Sequence, residues 1–219
     1  MNVTRLAAVI MPVMLAAGGC GLPHGGVETV DDDDVPYHLL EDPPPSRQEG
    51  AGDQPSPRDP LVFWVDDSEQ LIPRTATAGC PVDVAELLET LLAELAAGPA
   101  DEVRDQGLGT AIPPESGLSL MAVDDGVAAI DIEPESQISA DRLPIAIGQL
   151  VLTVTSAPDV DRVSLFSEGE LIQVPVAGGA LTAAPVRAED YAPMVPPNYR
   201  NSAPFVERPP GELPCSLGP

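Results

Sequence analysis

The chain has 219 residues and sets 35 acidic side chains against ten basic ones, all arginine, for a formal net charge of −25. A surface this acidic repels phosphate backbones and anionic headgroups, so nucleic acid is not an expected partner. Aromatic residues make up only 3%, which leaves few platforms for stacking bases or sugars and requires a core of Leu, Val, Ile and Ala.

At the N-terminus Arg5 supplies a positive start and Leu6–Ala17 an apolar run too short to span a bilayer. Ala16-Ala17-Gly18-Gly19-Cys20 follows as a small-residue cleavage site. This resembles a bacterial lipoprotein signal, with Ala17 where leucine is usual; an ordinary secretory signal is the alternative. The resemblance implies removal of residues 1–19, acylation of Cys20 and anchoring to the extracytoplasmic face of the cell membrane. Several acyl chains, at about 0.8 kcal/mol per buried methylene, hold where a single chain does not. Lipidation of Cys20 leaves Cys80 and Cys215 in an oxidising compartment, where a disulfide between them is expected and two free thiols are the alternative.

Residues 20–60 read as an acidic, Pro-rich tether with too little apolar area to offset the entropy of ordering. Asp31–Asp34 lack the glycine and distal glutamate of a calcium loop, and His24 and His38 have no Cys or His at ligand spacing. No metal or other cofactor is expected.

The folded part is expected over residues 61–175. Leu61–Val65 reads as an apolar strand and Gln70–Pro73 as its partner across an Asp66–Glu69 turn, with Trp64 in the core or at its rim. Val84, Leu87, Leu88, Leu91 and Leu95 form a helical stripe opened by Asp83 and Glu86 and closed by Gly98-Pro99. Ala100–Gly107 is a short helical turn. Leu118–Val123 and Val127–Ile132 flank Asp124-Asp125-Gly126, a strong hairpin signal. Leu143, Ile147, Leu150, Val151, Val154 and Ala157 mark a second helix near Asp141, stopped by Pro158, with a strand as the weaker reading. Arg162–Phe166 and Leu171–Val174 form a second hairpin across Gly169. Each helix is followed by a two-stranded ribbon that cannot bury its face alone. The inferred fold class is therefore α+β: one compact domain with two amphipathic helices packed on a mixed or antiparallel sheet.

Several of these segments together resemble the GerMN domain of sporulation and spore-germination proteins, which also occurs in actinobacterial lipoproteins. They are Val62–Val65, Leu95–Pro99, Gly107-Leu108 with Ala111–Pro113, Val123–Asp131, Gln149–Thr155 and Val160–Val163. The resemblance implies an α+β domain that works by protein contacts in the envelope and brings no catalytic residues with it. The alanine-rich, lysine-free composition fits the actinobacterial lipoprotein branch.

Residues 176–219 lose periodicity and read as a Pro-rich strap over the domain, pinned by Tyr191, Tyr199 and Phe205, with a disordered tail as the alternative. No nucleophile elbow, phosphate loop or zinc motif is present. The acid pairs Asp66/Asp67 and Asp131/Glu133 are the remaining catalytic candidates, and a solvated strand face is the plainer reading of the second. Arg74, Arg142 and Arg162 are scarce cations, expected in structural salt bridges or in orienting a partner. The functional expectation is a non-catalytic, lipid-anchored protein-contact module with an envelope protein as partner. A small-ligand or lipid carrier is the alternative, and a cell-wall hydrolase a distant third.

Overall fold

The computed structural model describes residues 59–114, 116–133, 138–206 and 213. The expected signal segment, the expected tether up to residue 58, Cys20 and Cys215 lie outside them.

Strand β1 (Leu61–Val65) is buried along its whole length and pairs antiparallel with β2 (Leu71–Thr75). The turn between them is held by Asp66, whose Oδ1 accepts from the backbone N–H of Ser68 and Gln70 at 2.9 and 2.7 Å. Helix α1 (Val84–Ala97) buries Leu87, Leu88, Leu91, Leu92 and Leu95. Its start is a reciprocal cap, in which Asp83 Oδ1 accepts from Glu86 N and Glu86 Oε2 from Val82 N. Gly98 stops it at φ 79°, a left-handed value that glycine adopts without a Cβ penalty. The short α2 (Asp101–Arg104) follows.

Strands β3 (Leu118–Asp124) and β4 (Val127–Ile132) make the hairpin foreseen from Asp124-Asp125-Gly126, with positive φ at both Asp125 and Gly126. Helix α3 (Leu143–Val154) then carries the chain to β5 (Arg162–Ser167), which lies parallel to β4. The β5 strand turns back through Glu168-Gly169 into β6 (Glu170–Leu171). The two helix-plus-ribbon units thus share one mixed sheet of order β3-β4-β5-β6. β1 and β2 form a ribbon of their own, joined to the segment before β3 through Val65 and Gly109.

One reading is corrected. Leu171–Val174 is not one strand: β6 ends at Leu171, and Val174 opens β7 (Val174–Pro175), which pairs with β8 (Leu181–Thr182) in a third sheet. The helix expected through Leu150 and Val154 is present, and the alternation behind the weaker strand reading belongs to a helix buried on every side, from Ile145 to Val154. Asp141 stands near the start of that helix, just ahead of its N-cap residue Arg142.

The chain beyond Pro175 is an ordered strap as far as Val206, with 3₁₀ helices at Ala188–Met194 and Pro197–Tyr199. Tyr191 is fully buried and donates from its hydroxyl to Pro175 O at 2.9 Å, while Tyr199 and Phe205 pack at the core margin. Val186 bridges to Val163, which sets the strap beside the part of β5 that β6 leaves unpaired.

Candidate functional site

Because α3 touches β1, α1, β5, β7 and the first 3₁₀ helix, its polar side chains have no water to fall back on. Thr153 Oγ1 accepts from Phe63 N at 3.1 Å and Ser156 Oγ accepts from Leu61 N at 2.8 Å. Ser156 Oγ also lies within reach of the Leu61 and Thr153 carbonyls. Two hydroxyls on and just after a helix thereby satisfy the outer edge of β1 where a third strand would otherwise pair. Gln149, fully buried, accepts at Oε1 from Ala111 N and from the Thr110 hydroxyl, fixing the segment between α2 and β3. Its Nε2 has no partner among the described residues, and neither has Arg162 Nε. Reading for apolar periodicity passed over these three residues. Their signal was the occurrence of Gln, Thr and Ser on a helix whose remaining positions are apolar.

In each acid pair one carboxylate serves a turn. Asp66 is spent on its turn, as above. Asp131 points to the outer side of the sheet and accepts from Gly169 N at 3.0 Å, while Glu133 lies beyond the end of β4, exposed. Glu133 N still donates to Gly117 O at 2.9 Å, so the backbone pairing of β3 and β4 continues one residue past Ile132.

The three arginines bind neutral oxygens rather than carboxylates. Arg74 donates to Gln106 Oε1 from both Nε and Nη2, Arg142 to Thr110 O, and Arg162 to Asp125 O. The ion pair among the described residues joins Arg104 to Asp101. The salt-bridge expectation therefore gives way to backbone and amide clamps. Trp64 is 2% exposed, and its core placement holds. Cys80 is exposed and has a bonding partner, which the described residues do not identify.

Two open clefts mark the surface. One, of about 640 Å³, lies between the β3–β4 turn, the loop before β5 and the strap, lined by Asp125, Asp161, Arg187, Glu189 and Phe205 among others. The second, of about 760 Å³, runs between β2, the C-terminal half of α1 and α2, past Arg74, Thr77 and Glu94. Burial raises the Glu94 carboxyl above its ordinary value, opposed by the hydrogen bond from Thr77. Burial does the same to the Tyr191 hydroxyl, and the neighbouring Asp190 charge adds to it. Asp141, at the surface, is lowered by the Ser139 hydroxyl. The apolar cavity beneath α3, walled by Ile112, Leu118, Ile132, Ala146 and Leu150, offers about 10 Å³, one water at most. Among the described residues no group of three or more His, Cys, Asp or Glu is placed to hold a metal ion, and no helix is long and apolar enough to cross a membrane.

Residues 61–173, from the start of β1 to the end of the β5–β6 ribbon, match the family model described as Germane, sporulation and spore germination. The chain belongs to the Germane family. Solved structures that resemble this Germane domain include two from one protein. The tandem GerMN domains of the sporulation protein GerM from Bacillus subtilis align over 59% of this chain and 46% of theirs, at 17% identity and a TM-score of 0.48. The first GerMN domain of the same protein aligns at the same identity and score over 96% of its length. This chain thus spans about half of the tandem protein. No protein of curated function matches it in sequence.

Proposed function

We infer that this Germane domain is a non-catalytic protein-contact module, held at the extracytoplasmic face of the membrane by acylated Cys20 and closed by a Cys80–Cys215 disulfide. The observation that carries the inference is the small size of the apolar cavity among the described residues. The apolar cavity has room for about one water, whereas a carrier of lipid or metabolite needs an apolar pocket of at least about 300 Å³. The larger clefts are open to solvent and lined with charge, so binding is a matter of surface. The acids that sequence offered for hydrolysis serve turns instead, Asp66 within β1–β2 and Asp131 at β5–β6.

Crosslinking in intact cells, with the untethered Cys20→Ser protein as comparison, tests this reading. The expected result is an envelope partner captured reproducibly through residues 61–175 and lost on surface substitution there. Absence of such a partner, together with a small molecule co-purifying with the folded protein, would favour the carrier.

A further inference from the structure

The sheet β3-β4-β5-β6 has one face in the core and one that nothing described covers. Ala128, Ile130, Val163 and Leu165 are buried on the inner face, so the alternate residues stand on the outer one. The register aligns them in rows across the strands: Asp124, Val127 and Arg162; then Ala122, Ala129 and Ser164; then Ser119, Asp131, Phe166 and Leu171. Not one of these ten is buried, and Leu171 is 52% exposed. The middle row is small, so a partner's side chains can come close to the backbone. The rows beside it carry Val127, Phe166 and Leu171. Both ends of the strands are acidic, with Asp124 and Asp125 at one end and Asp131, Glu133, Glu168 and Glu170 at the other. Arg162 is the cation on the face.

Charge selects the occupant. A second copy would bring the same carboxylates against themselves. The chain's own tether, with Asp31–Asp34, Glu41 and Asp42, carries the wrong sign, and so do anionic lipid headgroups. We propose that this outer face docks a segment of a partner protein that presents an aliphatic ridge flanked by lysine or arginine. The proposal rests on the contact-module reading and names its surface and the chemistry of its partner. The aliphatic ridge sits on the row Ala122–Ala129–Ser164 against Phe166 and Leu171, and the basic flanks meet the carboxylates at the two strand ends. Arg162, held by Asp125 O, limits the positive charge tolerated near the hairpin tip.

The test is backbone-amide NMR of the full chain titrated with an amphipathic Lys/Leu helix about four turns long. A Glu/Leu counterpart and a scrambled Lys/Leu peptide of identical composition serve as controls. Saturable shifts confined to β3–β6 are expected with the amphipathic Lys/Leu peptide alone, weakening as salt is raised. Ala129→Arg, at an outward position that leaves the core untouched, is expected to weaken binding at least about tenfold. Ala93→Arg, exposed on α1, is expected to leave it unchanged. Equal binding by the scrambled or acidic peptide, shifts centred on the cleft at Asp161 and Glu189, or indifference to Ala129→Arg would each overturn the proposal. A partner crosslinked in cells whose capture survives Ala129→Arg would also overturn it, while leaving the contact-module reading standing.

Discussion

Thr153 and Ser156 join the last turn of α3 to the edge of β1 by side chain rather than by a strand. Both hydroxyls are buried, and so are the Leu61 and Phe63 amides they serve. Removing one leaves a buried N–H with no water to replace the lost acceptor, which costs about 1–3 kcal/mol, more than the net worth of the bond itself. Thr153→Val keeps the shape and deletes only the acceptor, and Ser156→Ala deletes the other. Each is expected to lower the unfolding free energy by that amount, read as a urea midpoint lowered in proportion at an unchanged m-value. The two hydroxyls serve amides two residues apart on one short strand edge, so the double variant is expected to depart from additivity. An unchanged midpoint for Thr153→Val would mean that the Phe63 amide finds another acceptor.

At the scale of elements, the strap and α3 meet where α3 has no side chain. A Cβ on Gly148 would lie 2.9 Å from a ring carbon of Tyr191, 3.1 Å from a Leu71 methyl and 3.2 Å from the Met194 sulfur. Gly148→Ala raises helix propensity by roughly 1 kcal/mol but forces that contact apart, at a cost of about 1–3 kcal/mol. The Met194 sulfur yields readily, whereas the Tyr191 ring is fully buried and tied through its hydroxyl to Pro175, so the strap has to give. Hydrogen exchange is expected to show faster opening over Ala188–Val195 with β3–β5 unaffected, and uniform loss of protection would mean that the strap is part of the core. The elements themselves were legible because their signals are local: Asp83 and Glu86 with Gly98 for α1, Asp125-Gly126 for the first hairpin, the stripe through Leu143 and Leu150 for α3. What was not legible depends on pairing across the chain. The shortness of β6, the switch of Val174 to a different sheet and the strap's bridge to Val163 are all decided by distant partners. The same holds for the surface. The outer face of β3–β6 becomes visible only once β4 and β5 are known to be parallel and in register. The arginines changed role for that reason too, since their acceptors Gln106, Thr110 and Asp125 are brought near only by the fold.

For the whole molecule, the proposed Cys80–Cys215 bond encloses α1, α3, the mixed sheet and the strap in a single covalent loop. Leu213, two residues before Cys215, packs against the core. Closing a loop of this length restricts the unfolded chain by up to about 4–5 kcal/mol when the native geometry is unstrained. For a domain whose total stability is of the order of 5–15 kcal/mol, that is a large share. Unfolding by urea with and without reductant, in a Cys20→Ser background, separates the outcomes. The chain with both remaining cysteines is expected to lose stability on reduction, and Cys215→Ser to start at the reduced level and show no further response. The acidic surface sharpens the comparison: at a net charge of −25 the compact state works against its own repulsion. The reduced chain should therefore recover part of its stability in added salt, as the Debye length falls from about 10 Å at 0.1 M toward 3 Å at 1 M. Indifference of the two-cysteine chain to reductant would show that Cys80 bonds elsewhere or that the strap alone holds the tail.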